Sequence, residues 1–163
     1  MAKILSFPNP VNETSARIVA GGAVLMGISY VVTGIGWILI PLTYGFVARV
    51  LSGPTFSPLG RIATQLITPR VKAQHRLVPG PPKRFAQGVG AAFTVTASVL
   101  YVVGAIGASQ IVIAGLVVAA FLESAFAICL GCIGFGYLMK FGVIPQEVCE
   151  ECNNFTARSV QTI

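Results

Sequence analysis

Residues 109–140 read SQIVIAGLVVAAFLESAFAICLGCIGFGYLMK. This stretch of 32 residues holds one acid, Glu123, and no base before Lys140. A run this long and apolar has no place in an ordinary soluble domain, and about 20 such residues are enough to cross a bilayer. It is also too long. As one helix it would extend about 48 Å, against a hydrocarbon core of about 30 Å. Either the helix projects beyond the membrane or it breaks near Gly131, Gly134 or Gly136.

Three more apolar runs precede it. The spans are expected at about 16–32, 37–51, 85–107 and 109–140, the second with Pro41 near its start, where a missing backbone donor does least harm. Thr33–Gly36 and Ala108–Gln110 are short connections. Residues 1–15 form a polar lead-in, with Asn12 a suitable N-cap and Glu13 favourable in a first turn. Its first apolar run is broken by Pro8 and Pro10, unlike a cleavable signal peptide. The whole chain of 163 residues is 55% hydrophobic and only 10% charged, with a mean hydropathy of +0.81. Soluble domains carry about 25% charged residues. The expected fold is therefore all-α, a single membrane domain over residues 1–163 built as a four-helix bundle.

The central loop, residues 52–84, is rich in Pro and Gly. Within it, Pro58–Thr68 places Leu59, Ile62, Ala63 and Leu66 on one helical face and Arg61, Thr64, Gln65 and Thr68 on the other. That pattern predicts a short amphipathic helix in the membrane interface. The loop carries Arg61, Arg70, Lys72, Arg76, Lys83 and Arg84 with no acid, whereas the two other connections are uncharged. With four crossings, Lys3, Arg17, Lys140 and Arg158 fall on the same side as the loop. The positive-inside rule then predicts a multi-pass protein of the cell inner (cytoplasmic) membrane with both termini and the loop in the cytoplasm. The loop cations chiefly set this topology; anionic lipid or a soluble partner are the other uses.

The four cysteines fall in two pairs, Cys129/Cys132 and Cys149/Cys152, the second in the polar tail 141–163. Two Cys-x-x-Cys pairs 16 residues apart match a four-thiolate zinc site made of Cys129, Cys132, Cys149 and Cys152. They suit equally a redox pair with a relay, and Cys129 and Cys132 as small packing residues is the bland alternative. A reducing cytoplasm disfavours permanent disulfides. Redox-active pairs favour a helix N-terminus, whereas here Cys129 and Cys132 are expected toward the end of a long helix, where the dipole opposes ionisation unless the helix breaks. Glu123, the one acid inside a span, should face the other helices and find a partner, Arg49 being nearest by depth. On a regular helix it does not share the face of Cys129, six residues being about 240° of rotation.

His75 is the sole histidine and lies in the loop, so a bis-histidine haem is excluded. There is no aspartate, no phosphate-binding loop and no nucleic-acid motif. Gly22, Gly27, Gly88 and Gly104 read as sites of close helix packing.

Several segments occur together in order: Val11-Asn12-Glu13 with Arg17, then Tyr44 to Arg49, Phe56 to Leu59, Pro82 to Ala86, and Leu122-Glu123-Ser124 with Cys129 to Cys132. Over about residues 8–152 the chain resembles the bacterial membrane family catalogued as domain-of-unknown-function family 4395, and more closely its actinobacterial branch. The resemblance implies a membrane fold and no activity. Other members tend to have Asp where this chain has Gly45, and only part of the family shares the Cys149/Cys152 pair.

Three functions are expected on these grounds. The first is thiol-dependent redox or sulfur handling with Cys129, Cys132 and Glu123 as candidate catalytic residues, served by a soluble thioredoxin-like or sulfurtransferase protein. The second is the four-cysteine zinc site. The third is a non-catalytic subunit of a larger membrane complex. Disulfide enzymes linked to quinone share four helices and a Cys-x-x-Cys, but hold the pair at the outer face, which the charge distribution here opposes. The lipid bilayer is the one partner common to all, and nucleic acid is a partner of none.

Overall fold

A computed structural model describes residues 11–70 and 77–145. The order is β1 (Val11–Asn12), α1 (Glu13–Thr33), α2 (Leu39–Ser52), α3 (Pro58–Arg61), β2 (Leu77–Val78), α4 (Gly80–Val102), α5 (Ile106–Phe126) and α6 (Leu130–Lys140). Short 3-10 turns at Gly36–Ile38 and Gly53–Thr55 flank α2. Four helical segments, Glu13–Thr33, Gly36–Arg70, Gly80–Val102 and Ile106–Phe126, are long and apolar enough to cross a membrane.

Local signals account for most boundaries. Asn12 caps α1, its Oδ1 accepting from the Thr14 N–H at 2.9 Å, as a short polar side chain does at this position. Gly34 ends the helix at φ 67°, donating its N–H to Tyr30 O; a left-handed residue after the last turn favours glycine. Pro81 and Pro82 open α4 where backbone donors are idle. This helix starts at Gly80, not near Phe85, and so takes Lys83 and Arg84 out of the loop. It ends at Val102, five residues before the expected boundary, and the turn lies at residues 103–105 rather than 108–110. Gly104, at φ 85°, makes that turn rather than a packing contact.

α1 packs on α5, α2 on α4, and α4 also on α5 and α6. The shared core is Ala23, Tyr30, Leu39, Leu42, Phe46, Ala97, Ile113, Leu116 and Ala120. Glycine permits the closest approaches. A Cβ on Gly27 would lie 2.5 Å from Val117 Cγ2, and one on Gly90 would run into the Phe46 ring. Gly22 likewise faces Leu59, but nothing lies within 4 Å of a Cβ at Gly88 among the described residues. Gly90, two residues on, does that packing. Between the helices the polar groups are paired: the Tyr30 hydroxyl and Ser109 Oγ are 2.6 Å apart, and Ser109 Oγ donates to Ala97 O at 2.7 Å. The outward surface is apolar, with Leu25, Val32, Trp37, Val102 and Ile111 all well exposed.

The segment after α2 departs from its expected amphipathic face. Ser57 caps α3 through Gly60 N–H, and the chain runs on as a π-helical turn, Ile62–Ile67, and a 3-10 turn, Thr68–Arg70. Ile62 and Leu66 are exposed, while Gly60, Ala63 and Thr68 are buried. A π turn carries more residues than an α turn and so rotates the face that later residues present. Thr68 Oγ1 meets Ser15 Oγ at 2.8 Å and donates to Ala63 O at 2.6 Å, so small and polar groups face the body of the protein and the larger aliphatic ones point away.

Candidate functional site

The long apolar run breaks at Ala127, four residues before the first of the expected glycines. Ala127 adopts φ 58°, and its N–H bonds Glu123 O while that of Ile128 bonds Leu122 O. These bonds leave the Ser124 and Ala125 carbonyls at the end of α5 facing outward. Arg17, on α1, covers both: its Nε donates to Ser124 O at 2.9 Å and its Nη2 to Ala125 O at 3.0 Å. A guanidinium at a helix C-terminus answers both the orphan carbonyls and the negative end of the dipole.

The break puts Cys129 at the N-cap of α6, where its Sγ accepts from the Cys132 N–H at 3.2 Å. The two cysteines are joined as a disulfide, with Cα atoms 5.2 Å apart. This overturns the expected placement at the end of a helix. The pair stands at a helix start, where the dipole and a backbone N–H favour negative charge on Cys129 when the bond opens. Cys129 is buried and Cys132 half-buried. Gly131 holds α6 against α4, since a Cβ there would lie 2.5 Å from Ala86 Cβ, and Phe135 packs on Phe85.

Glu123 faces inward, as its cost in lipid requires, but its partner is not Arg49. Lys83 Nζ donates to Glu123 Oε1 at 2.5 Å, the two side chains being 7% and 13% exposed. Lys83 is thus not a loop cation, because α4 begins at Gly80; the Pro81-Pro82 pair is the sequence signal for that earlier start. Arg49 is buried too. Its Nε donates to Gln87 Oε1 at 2.8 Å, its Nη1 to Ser57 Oγ at 3.2 Å, and its guanidinium sits 4.5 Å from the centre of the Phe46 ring. Among the described residues no carboxylate lies within ion-pair distance of it.

These groups converge on one cavity of about 370 Å³. Arg49, Gln87, Glu123 and Cys129 form its polar end, and the rest of the wall is apolar, from Ala20 and Phe46 to Phe93 and Leu116. Glu123 and Cys129 therefore share a site, because the break at Ala127 cancels the 240° that a regular helix would put between them. A second cavity of about 240 Å³ lies beyond Arg49, Lys83 and Gln87, lined also by Asn12, Ser15 and Thr64. Arg49 and Gln87 line both and so partition them.

Cys149 and Cys152 lie outside the described residues. Among the described residues no three His, Cys, Asp or Glu side chains cluster, and a disulfide between Cys129 and Cys132 offers zinc no thiolate. The arrangement is thus a disulfide with a largely buried ion pair and a buried guanidinium beside it.

The family described as domain of unknown function (DUF4395) matches residues 11–140, so the chain belongs to that family. No curated protein and no solved structure matches the chain.

Proposed function

We propose that this DUF4395 protein is a thiol–disulfide redox protein at the cytoplasmic face of the bacterial inner membrane, working through Cys129 and Cys132. The observation that carries the reading is the disulfide at the N-terminus of α6, with Cys129 on the wall of a cavity that also holds Glu123 and Arg49. In a reducing compartment such a bond is an exchanging one. An incoming thiolate attacks one sulfur and the other leaves as a thiolate. Cys129 suits the leaving role, since its sulfur already accepts the Cys132 N–H at the positive end of the helix. Cys132 is the more exposed residue of the two and takes the attack, from a thioredoxin-like or sulfurtransferase protein in the cytoplasm.

The location rests on charge. Neither turn at the far end, Gly34–Ile35 nor residues 103–105, carries a charge, while Arg17, Arg49, Lys83 and Arg84 stand at the end that holds the disulfide. The four long helices form a transmembrane bundle, and the Pro58–Arg70 segment lies in the cytoplasmic interface with Ile62 and Leu66 toward lipid.

Equilibration of the purified protein in glutathione buffers tests the function, with the Cys129–Cys132 bond scored by mass spectrometry. A midpoint within the cytoplasmic range supports exchange. A bond that never opens, or a pair that never oxidises, rejects it.

A further inference from the structure

We infer that the cavity beside Cys129 binds the ring of an isoprenoid quinone, which oxidises the Cys129/Cys132 dithiol. The inference rests on the thiol redox reading above and names its electron acceptor. The cavity's volume, about 370 Å³, falls in the range of roughly 300–1,000 Å³ that small-molecule sites occupy. Its chemistry is divided. The inner end presents Arg49 and Gln87, with Cys129 and the Lys83-paired Glu123 beside them; Gln87 spends its side-chain oxygen on Arg49, so its amide N–H groups remain to donate to a ring carbonyl. The rest is apolar, and Val89, Phe93 and Gly115, between α4 and α5, are exposed on the surface assigned to lipid. A ligand with a flat, carbonyl-bearing head and a long hydrocarbon tail fits this division, the tail leaving sideways into the bilayer. The redox-active sulfur stands on the wall itself.

The step balances. The Cys129 thiolate adds to a ring carbon; Cys132 sulfur then attacks Cys129 sulfur, forming S–S and breaking C–S, and the ring leaves with two electrons. The two thiol protons end on its two oxygens, giving the hydroquinone. The pair lies at the basic end, so electrons would pass from a cytoplasmic dithiol into the membrane pool. This differs from the outer-face arrangement that the charge distribution opposes.

The test uses full-length protein carrying Cys149→Ser and Cys152→Ser, reduced, desalted and held anaerobically in phosphatidylcholine nanodiscs. Ubiquinone-1, whose ring is fully substituted, is added, and its absorbance and the thiol count are followed together. The expected result is one quinone lost for each disulfide formed. Gly115→Phe, which blocks the lateral mouth, should slow the reaction at least about tenfold, as a steric block of a fitted pocket does. Val118→Phe, at an exposed site on the same helix outside the cavity, should leave it unchanged. If the pair exchanges with glutathione but reduces no quinone, the inference fails and the thiol redox reading stands. Failure with glutathione as well removes both. Equal rates for Gly115→Phe and the parent, with thermal unfolding alike, would place the reaction elsewhere and overturn the site.

Discussion

Lys83 and Glu123 form an ion pair between α4 and α5, with both side chains almost withdrawn from solvent. Removing one partner from such a pair leaves a buried charge, which typically costs about 3–5 kcal/mol, whereas replacing both with apolar groups is often neutral. Lys83→Met alone should therefore lower the thermal midpoint in detergent more than the double variant Lys83→Met/Glu123→Leu. Glu123→Gln, which can still accept from Lys83, should be milder than Glu123→Leu. A double variant less stable than either single one would show that the pair holds the helices together on its own account.

Arg17 should prove structural despite its exposure. Its two bonds to Ser124 O and Ala125 O are charge-assisted, and losing them should cost about 1–2 kcal/mol. Arg17→Met should lower the unfolding midpoint, and Arg17→Lys should recover only part, since a single ammonium does not reproduce the two-pronged guanidinium. Full recovery by lysine would mean that charge alone matters.

Ala127 carries a side chain at φ 58°, a conformation that costs a non-glycine residue roughly 1–2 kcal/mol. Ala127→Gly should accordingly stabilise the protein slightly, and Ala127→Val should destabilise it and disturb the Cys129–Cys132 exchange midpoint. Opposite signs in a thermal unfolding series would place the helix break elsewhere.

Orientation is open to labelling in a background without native cysteines. Ile35→Cys and Val103→Cys, in the two uncharged turns, should react with an impermeant maleimide on intact cells. Gln65→Cys should react only after permeabilisation. The reverse pattern would invert the topology and move the disulfide to the outer face.

Much of the fold is legible in the sequence because hydrophobic length acts over whole segments. Four helical segments long and apolar enough to cross a membrane and the Asn12 cap need only composition and local hydrogen bonding. The break at Ala127 is not legible, since no glycine or proline marks it and the glycines at 131, 134 and 136 point downstream. Arg17 fixes it from more than a hundred residues away in the chain, and long-range carbonyl partners leave no periodic trace. Lys83 escapes for a different reason. Its charge outweighs the Pro81-Pro82 signal for a helix start, although a buried lysine is tolerable once Glu123 is beside it. The cavity that unites Cys129 with Glu123 depends on that break and on Gly131, and only the packed structure brings these together.

The hydrogen-bonded chain from Tyr30 through Ser109 to Ala97 O joins α1, α5 and α4 near their uncharged ends. At the opposite ends Arg17 clasps α1 to α5 and the Lys83–Glu123 pair clasps α4 to α5. Glu123 lies 14 residues from Ser109 along α5, a lever of about 21 Å at the helical rise. A tilt of about 5° at the pivot would part the far tips by about 2 Å and pull both clasps open, so the helices are riveted at each end rather than hinged at one.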